Sequence, residues 1–204
     1  MSKSDHCTVL LFDLGGVIID IDFRRVFESW AGNSGVSLEY IASRFTFDEA
    51  YACHERGQIT ASEYFCHLRE TLDVSLSDEK WLSGWNALFG GVIGDIESIL
   101  LKARKRWALY AFSNTNLAHQ KIWKLQFPRI LDYFNEIYTS PSLGCRKPEP
   151  EAYCRVCQLM DVPQHEVMFF DDSLNNVLAA QECGINAVCV RKVGDIWDSL
   201  WGTV

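Results

Sequence analysis

TVLLFDLGGV (Thr8–Val17) joins a short apolar run, TVLLF, to a carboxylate at Asp13 and a glycine pair at Gly15 and Gly16. An apolar run of this length bounded by a turn signal predicts a buried strand over Thr8–Phe12. A carboxylate at its end is costly to bury unless it is paired or metal-bound. Asp13 could still be a turn or cap aspartate, but no helical pattern starts behind it. The stronger reading is a nucleophile and metal ligand, since a carboxylate can attack phosphorus to give an acyl phosphate.

The same grammar recurs downstream. Trp107–Phe112 is strand-like and runs into Ser113, Asn114, Thr115 and Asn116. Val167–Phe170 is strand-like and runs into Asp171, Asp172 and Ser173. Between them lies RKPEP (Arg146–Pro150), with one lysine at Lys147. Acids suit a hard cation, and Mg²⁺ is usually held by one or two carboxylates, with waters and phosphate completing its shell. A hydroxyl and backbone amides at a helix start suit phosphate oxygens. The set predicts a Mg²⁺-dependent phosphoryl-transfer site.

From Asp22 to about Phe89 the texture is helical, with breaks near Gly32–Gly35, Gly57 and Asp73–Ser77. Four or five helices are expected there. After Gly90-Gly91, helices and strands alternate. Helices are expected over Ile93–Lys105, Leu117–Leu125, Glu149–Met160 and Leu174–Cys183, and strands over Glu136–Thr139 and Ala187–Val190. That alternation predicts an α/β fold with a parallel sheet. Asp13 and Ser113 lie 100 residues apart, whereas a strand–helix–strand crossover takes about 30. The excess predicts a helical domain, residues 22–89, inserted into a Rossmann-like core of residues 1–21 and 90–204. Ligands of such sheets sit beyond the carboxyl ends of the strands, where Asp13, Ser113 and Asp171/Asp172 fall.

The 204 residues are 48% hydrophobic and carry a net charge of -8, with a pI near 5.1. The lone basic cluster, Lys102–Arg106, reads as a solvated helix end, so no nucleic-acid partner is expected. No apolar run approaches the length of a membrane span. Met1–Cys7 contains no signal-peptide core, and eight cysteines without one point to free thiols in a reducing cytoplasm. Cys154 and Cys157 are expected to pack in a helix rather than bind zinc.

Other candidates carry bland alternatives. Asp171-Asp172 could cap the next helix, and Ser113 and Asn114 could cap the helix at Leu117. His54, Glu55 and Arg56 precede Gly57 in the helical insert and read equally as a solvated helix end or as substrate-facing groups. Trp85 is either core or a sugar-stacking edge, and His119 is a candidate substrate contact near the phosphate end.

Taken together, FDLGGVIID, FSNTN, GCRKPEPEAY and FFDDSLNNV resemble, in order, the four motifs of the haloacid dehalogenase-like hydrolases. The helical insert falls where that superfamily carries its cap. Within it, FDLGGVIIDIDFRRV, HERGQIT, SNTNLAH and LGCRKPE are similar to bacterial phosphatases of α-D-glucose 1-phosphate. The resemblance implies Asp13 as nucleophile, and Mg²⁺ held by Asp13, the Gly15 carbonyl and Asp172, with Asp171 as a weaker or indirect ligand. It also implies Ser113, Asn114 and Lys147 as phosphate contacts, and a small phosphate ester as substrate. The departure is Gly15, where most phosphatases of the superfamily carry a second aspartate that protonates the leaving oxygen. The competing readings are a metal-independent 2-haloacid dehalogenase, against which the paired acids argue, and a catalytically weak phosphate-binding regulatory protein. The exact substrate and the oligomeric state are left open, because specificity resides in the cap.

Overall fold

The computed structural model describes residues 7–202. The expectation that the first residues hold no leader concerns Met1–His6, which lie outside that range. Strands β1 (Val9–Phe12), β4 (Ala108–Ser113), β5 (Glu136–Thr139), β6 (Val167–Asp171) and β7 (Asn186–Cys189) form one parallel sheet in the order β5-β4-β1-β6-β7. β1 is central, and its Phe12 is in register with Ala111 of β4 and Phe170 of β6. The α/β reading therefore holds, with each expected strand placed to within about a residue.

Successive strand residues point to opposite faces, so each strand feeds two cores. Leu10, Phe12, Met168 and Phe170 pack with α6 (Ile96–Ala103), α7 (Leu117–Gln126) and α12 (Val193–Trp201). Val9, Leu11, Val167 and Phe169 pack with α10 (Pro150–Met160) and α11 (Leu174–Glu182). Helix α12 was not anticipated. Its apolar residues Val193, Ile196, Trp197, Leu200 and Trp201 fall at helical spacing, but its nine residues are shorter than the window over which that period is read. The four-residue helices α8 (Pro128–Leu131) and α9 (Ser140–Leu143) were missed for the same reason. All eight cysteines are free, and Cys157 is buried against the sheet.

Two short strands, β2 (Ile19–Ile21) and β3 (Phe89–Val92), form an antiparallel pair that sequence reading overlooked. β2 is three residues long, and the Gly90-Gly91 of β3 mimics a linker. The pair matters because the helical insert leaves and returns through it, with the Asp22 amide donating to the Leu88 carbonyl at 3.0 Å.

Five helices lie between these strands: α1 (Phe23–Ser34), α2 (Leu38–Arg44), α3 (Glu49–Glu55), α4 (Ala61–Leu72) and α5 (Asp78–Trp85). Side-chain oxygens of Asp22, Ser37, Asp48, Thr60 and Ser77 accept from the first-turn amides, which explains why the helices begin there. Their core is aromatic. Trp30 and Trp85 stack at 5.8 Å with planes 3° apart, and Trp30 Nε1 donates to the Trp81 carbonyl at 3.0 Å. A Cβ at Gly84 would fall 2.3 Å from Trp30 Cδ1. Gly84→Ala is therefore expected to destabilise the protein by about 1–3 kcal/mol through overpacking, despite alanine's better helix propensity. An unfolding midpoint in urea at or above that of the wild type would show that Trp30 has room to yield.

Candidate active site

The carboxyl ends of β1, β4 and β6 converge on Lys147. Its ammonium is fully buried and lies 2.9 Å from Asp13 Oδ1 and 2.8 Å from Asp171 Oδ2, and it donates to the Phe112 carbonyl at 2.8 Å. All three N–H groups of the lysine thus have partners, one from each strand end. The turn carrying Lys147 is itself clamped. Asn114 Oδ1 accepts from the Lys147 amide at 2.9 Å, and Asn114 Nδ2 donates to the Lys147 carbonyl at 2.8 Å. Both ends of the Asn114 side chain hold backbone, so the side chain positions Lys147, and a phosphate contact at Asn114 would fall to its main chain.

Ser113 stays available. Its hydroxyl makes one long 3.3 Å bond to the Asn114 carbonyl. It lines a cavity of about 40 Å³ with Leu14, Gly15, Ile21, Phe89 and His119. That volume holds a few waters, and no carboxylate lines it among the described residues.

Asp13, Asp171 and Asp172 each place a carboxylate oxygen within 4.8 Å of the others. The environments differ. Asp171 is fully buried and accepts from Lys147, from the Ser173 amide at 2.8 Å and from Asn176 Nδ2 at 3.0 Å. Asp172 is exposed and lies against Gly16, where a Cβ would meet its Oδ2 at 2.3 Å. Gly16 also has φ +77°, so glycine is required twice over. Burial pushes the Asp13 carboxyl up to about 8 against the lowering pull of Lys147, with Asp171 and Asp172 adding to the rise. Burial and Asp171 raise the Asp172 carboxyl as well. Three acids against one ammonium is an electrostatic deficit that a divalent cation between Asp13 and Asp172 would relieve, so the donor set fits Mg²⁺.

The cap-side candidates divide. His119 Nδ1 accepts from Asn116 Nδ2 at 3.0 Å, which assigns the proton to Nε2, and Nε2 donates to the Trp85 carbonyl at 3.0 Å. Burial lowers its pKa to about 3. His119 is thus a neutral tie between α7 and α5 with no free nitrogen, not the expected substrate contact. Trp85 is fully buried between Trp30 and His119, which removes it as an exposed stacking edge. His54 is buried against the Tyr64 ring at 4.8 Å, and burial lowers its pKa to about 4. Arg56 faces protein rather than substrate. Its Nε and Nη2 donate to Glu149 Oε1 at 2.8 and 2.5 Å, and its Nη1 to Glu49 at 2.8 Å.

Glu55 reaches the core. Its Oε1 accepts from the Tyr51 hydroxyl at 2.9 Å, and its Oε2 lies 2.8 Å from Arg146 Nε. Burial raises the Glu55 carboxyl above its ordinary range, against the opposing pull of Arg146. Sequence reading passed over Arg146, Glu149 and Asn176. The three-residue spacing from Arg146 to Glu149 was the available signal, since Glu149 Oε2 accepts from the Arg146 amide at 3.0 Å.

A sequence model of the haloacid dehalogenase-like hydrolases matches residues 7–184. The chain belongs to that family. It is 26% identical to D-ribitol-5-phosphate phosphatase of Bacteroides thetaiotaomicron over 182 residues, covering 86% of this chain and 87% of that protein. It is 24% identical to hexitol phosphatase A of Escherichia coli, covering 93% and 86%. Among solved structures it is similar to a HAD family enzyme of Bacteroides thetaiotaomicron in complex with magnesium and inorganic phosphate. That likeness has TM-score 0.80 and 32% identity, over 96% of this chain and 99% of that one. Enzymes similar to this one thus include named phosphatases, and the chain is a hydrolase of phosphoric monoesters.

Removing the buried ammonium should leave Asp171 uncompensated. Lys147→Met is expected to lower unfolding free energy by about 3–5 kcal/mol, read by urea denaturation. A loss below 1 kcal/mol would mean that the acids can protonate or rehydrate freely.

Mg²⁺ should raise the melting temperature of chelator-treated wild-type protein by mass action. Asp172→Asn should abolish most of that shift while leaving the metal-free protein no less stable, because it removes a crowded negative charge. An undiminished Mg²⁺ shift in Asp172→Asn would remove Asp172 from the ligand set.

Proposed function

We propose that the protein is a Mg²⁺-dependent phosphatase of small sugar or polyol phosphates that works through an aspartyl-phosphate intermediate, with α1–α5 as a cap over the site. The observation that carries this reading is Asp13, held at the end of β1 with Lys147 Nζ 2.9 Å away and the Asp171–Asp172 pair alongside.

In this reading one Asp13 oxygen attacks phosphorus, and the bond from phosphorus to the ester oxygen breaks. The departing alkoxide takes a proton from water. A second water then cleaves the acyl phosphate, which releases inorganic phosphate and restores the carboxylate. Lys147 pulls Asp13 toward its ionised form and orients it for attack, and Ser113 donates to a phosphoryl oxygen. Asp13, Asp172 and the Gly15 carbonyl would hold Mg²⁺, which when bound offsets the repulsion between carboxylate and phosphate. Asp171 acts through Lys147. A halide-displacing reaction has no use for a cation cradle of this kind, which favours the phosphatase reading. Eight free cysteines support a cytoplasmic setting, and no helix among the described residues is long and apolar enough to cross a membrane.

Gly15 narrows the proposal further. Without an acid there, turnover should follow leaving-group acidity, since general acid help is worth about 10²–10⁴-fold. A hemiacetal hydroxyl is a better leaving group than an ordinary sugar alcohol, so α-D-glucose 1-phosphate is the favoured natural substrate. In assays with Mg²⁺, kcat for glucose 1-phosphate and for an aryl phosphate should exceed that for glucose 6-phosphate. EDTA should abolish all three activities. Asp13→Asn should be folded and inactive. Near-normal turnover in folded Asp13→Asn would refute the covalent route, and a preference for the 6-phosphate would refute the leaving-group argument alone.

A further inference from the structure

Hydrogen-bond satisfaction is uneven across the molecule. Among the described residues, seven buried side-chain polar atoms find no hydrogen-bond partner in the protein. Six belong to the stretch from α3 to the turn after α5, and the seventh is Arg146 Nε, which faces that stretch. Buried polar groups are normally paired, and each one left open costs about 1–3 kcal/mol in a folded protein. The side chains of the parallel sheet and its helices show no such debt among the described residues, so the open groups belong to the cap and to the core residue that faces it.

Two of the seven face each other across the seam between cap and core. Glu55 Oε2 and Arg146 Nε are 2.8 Å apart. They attract as charges, but the N–H is not aimed at the oxygen, so neither is hydrogen-bonded to the other. The Arg146 guanidinium donates to no acceptor among the hydrogen bonds of the described residues, although its side chain is 24% exposed. Arg56, one residue after Glu55, supplies the contrast. Its guanidinium is fully engaged by Glu149 and Glu49 and ties cap to core. The seam thus holds one arginine that is structural and one that has donors to offer. Glu55 is fixed from behind by the Tyr51 hydroxyl at 2.9 Å, which turns Oε2 toward Arg146. Lys147 acts on Glu55 as a nearby charge, so the pair lies close to the reacting group.

We propose that Glu55 and Arg146 form the recognition pair for the organic part of the substrate, and that this part carries neutral hydroxyls rather than a second anion. A hydroxyl both donates and accepts, so it can satisfy the carboxylate and the guanidinium together. A carboxylate-bearing ester such as 2-phosphoglycolate would be drawn to Arg146 but repelled by Glu55. Sites built to hydrogen-bond a substrate hydroxyl discriminate strongly against analogues that lack it, because their own polar groups are then left unpaired. The inference rests on the phosphatase reading above and adds to it which residues select the ester.

The test is steady-state kinetics of the Mg²⁺-loaded enzyme with α-D-glucose 1-phosphate, D-ribitol 5-phosphate, p-nitrophenyl phosphate and 2-phosphoglycolate. Glu55→Gln and Arg146→Gln are compared with the wild type, and melting temperatures report folding. For each variant, kcat/KM on the better hydroxylated ester should fall about 10- to 100-fold further than on p-nitrophenyl phosphate. Glu55→Gln should also raise the standing of 2-phosphoglycolate relative to the hydroxylated esters. Arg146→Lys, which keeps the charge but loses the planar fork, should fall between wild type and Arg146→Gln. Equal losses on hydroxylated and aryl esters, or no loss on either, overturn the assignment, because the pair is then only a clasp between cap and core. A variant that fails to fold hands the decision to its partner, on the opposite side of the seam. Wild-type protein inactive on all four esters would refute the phosphatase reading itself, a failure visible before any variant is made.

Discussion

One fully buried ammonium organises this site. Lys147 Nζ joins Asp13 at the end of β1, the Phe112 carbonyl at the end of β4 and Asp171 at the end of β6. A buried cation is tolerated only where its charge and its N–H groups are matched, and here the strand ends supply the match. The requirement acts in both directions. The sheet order β4-β1-β6 brings the three acceptors together, and the lysine holds three strand termini that would otherwise repel or fray. The Asn114 amide extends the constraint to the backbone of the lysine's own turn. Asp171 is therefore held by three donors, whereas Asp172, one residue on, is exposed toward Gly16. Adjacent residues on an extended chain face opposite ways, which gives the two acids separate tasks.

Much of this was legible in the sequence because buried parallel strands are continuous apolar runs and the reactive groups follow them directly. TVLLF, WALYAF and VMFF mark β1, β4 and β6, and Asp13, Ser113 and Asp171-Asp172 come next in each case. The length between Asp13 and Ser113 revealed the insertion. What stayed hidden was anything set by pairing at long range. The β2–β3 pair joins three residues to a strand containing two glycines, neither of which carries a pattern of its own. The Asn114 side chain meets the backbone of Lys147, 33 positions away. Arg56 meets Glu149 across 93 positions, and no local rule connects them. His119 and Trp85 were singled out for their chemistry, yet the helix-to-helix contact between them gives each a structural task.

The cap and the core follow different design rules. In the core, apolar side chains alternate across a regular sheet, and the polar groups at its edge are matched within the protein. In the cap, a cluster of Trp30, Trp81, Trp85, Tyr51 and Tyr64 supplies the apolar burial, and several of its polar ends have no protein partner. Aromatic packing is a robust way to fold a small helical layer, since each ring buries a large area in two torsions. It also places indole and phenol groups where regular secondary structure cannot satisfy them. The resulting surplus of hydrogen-bonding capacity lies in the cap and, at Arg146, on the core residue that faces it.

The glycine at position 15 is best understood through the same seam. A Cβ there would fall 2.9 Å from Cδ1 of Ile21, the last residue of β2. That methyl group is the far end of a flexible chain, so a side chain at 15 is not forbidden by space alone. The obstacle is chemical. The cavity beside Gly15 is walled by Leu14, Ile19, Ile21, Leu88, Phe89 and Trp123 together with Ser113, Asn114 and Thr115, and the one titratable neighbour, His119, has both nitrogens engaged. An acid introduced there would be desolvated by the apolar part of that wall, which raises its pKa. The neck strand β2, which carries the chain into the cap, thereby borders the place that a general acid would occupy. In the proposed reading, leaving-group protonation is left to water and selectivity to the opposite side of the seam, where Glu55 and Arg146 meet.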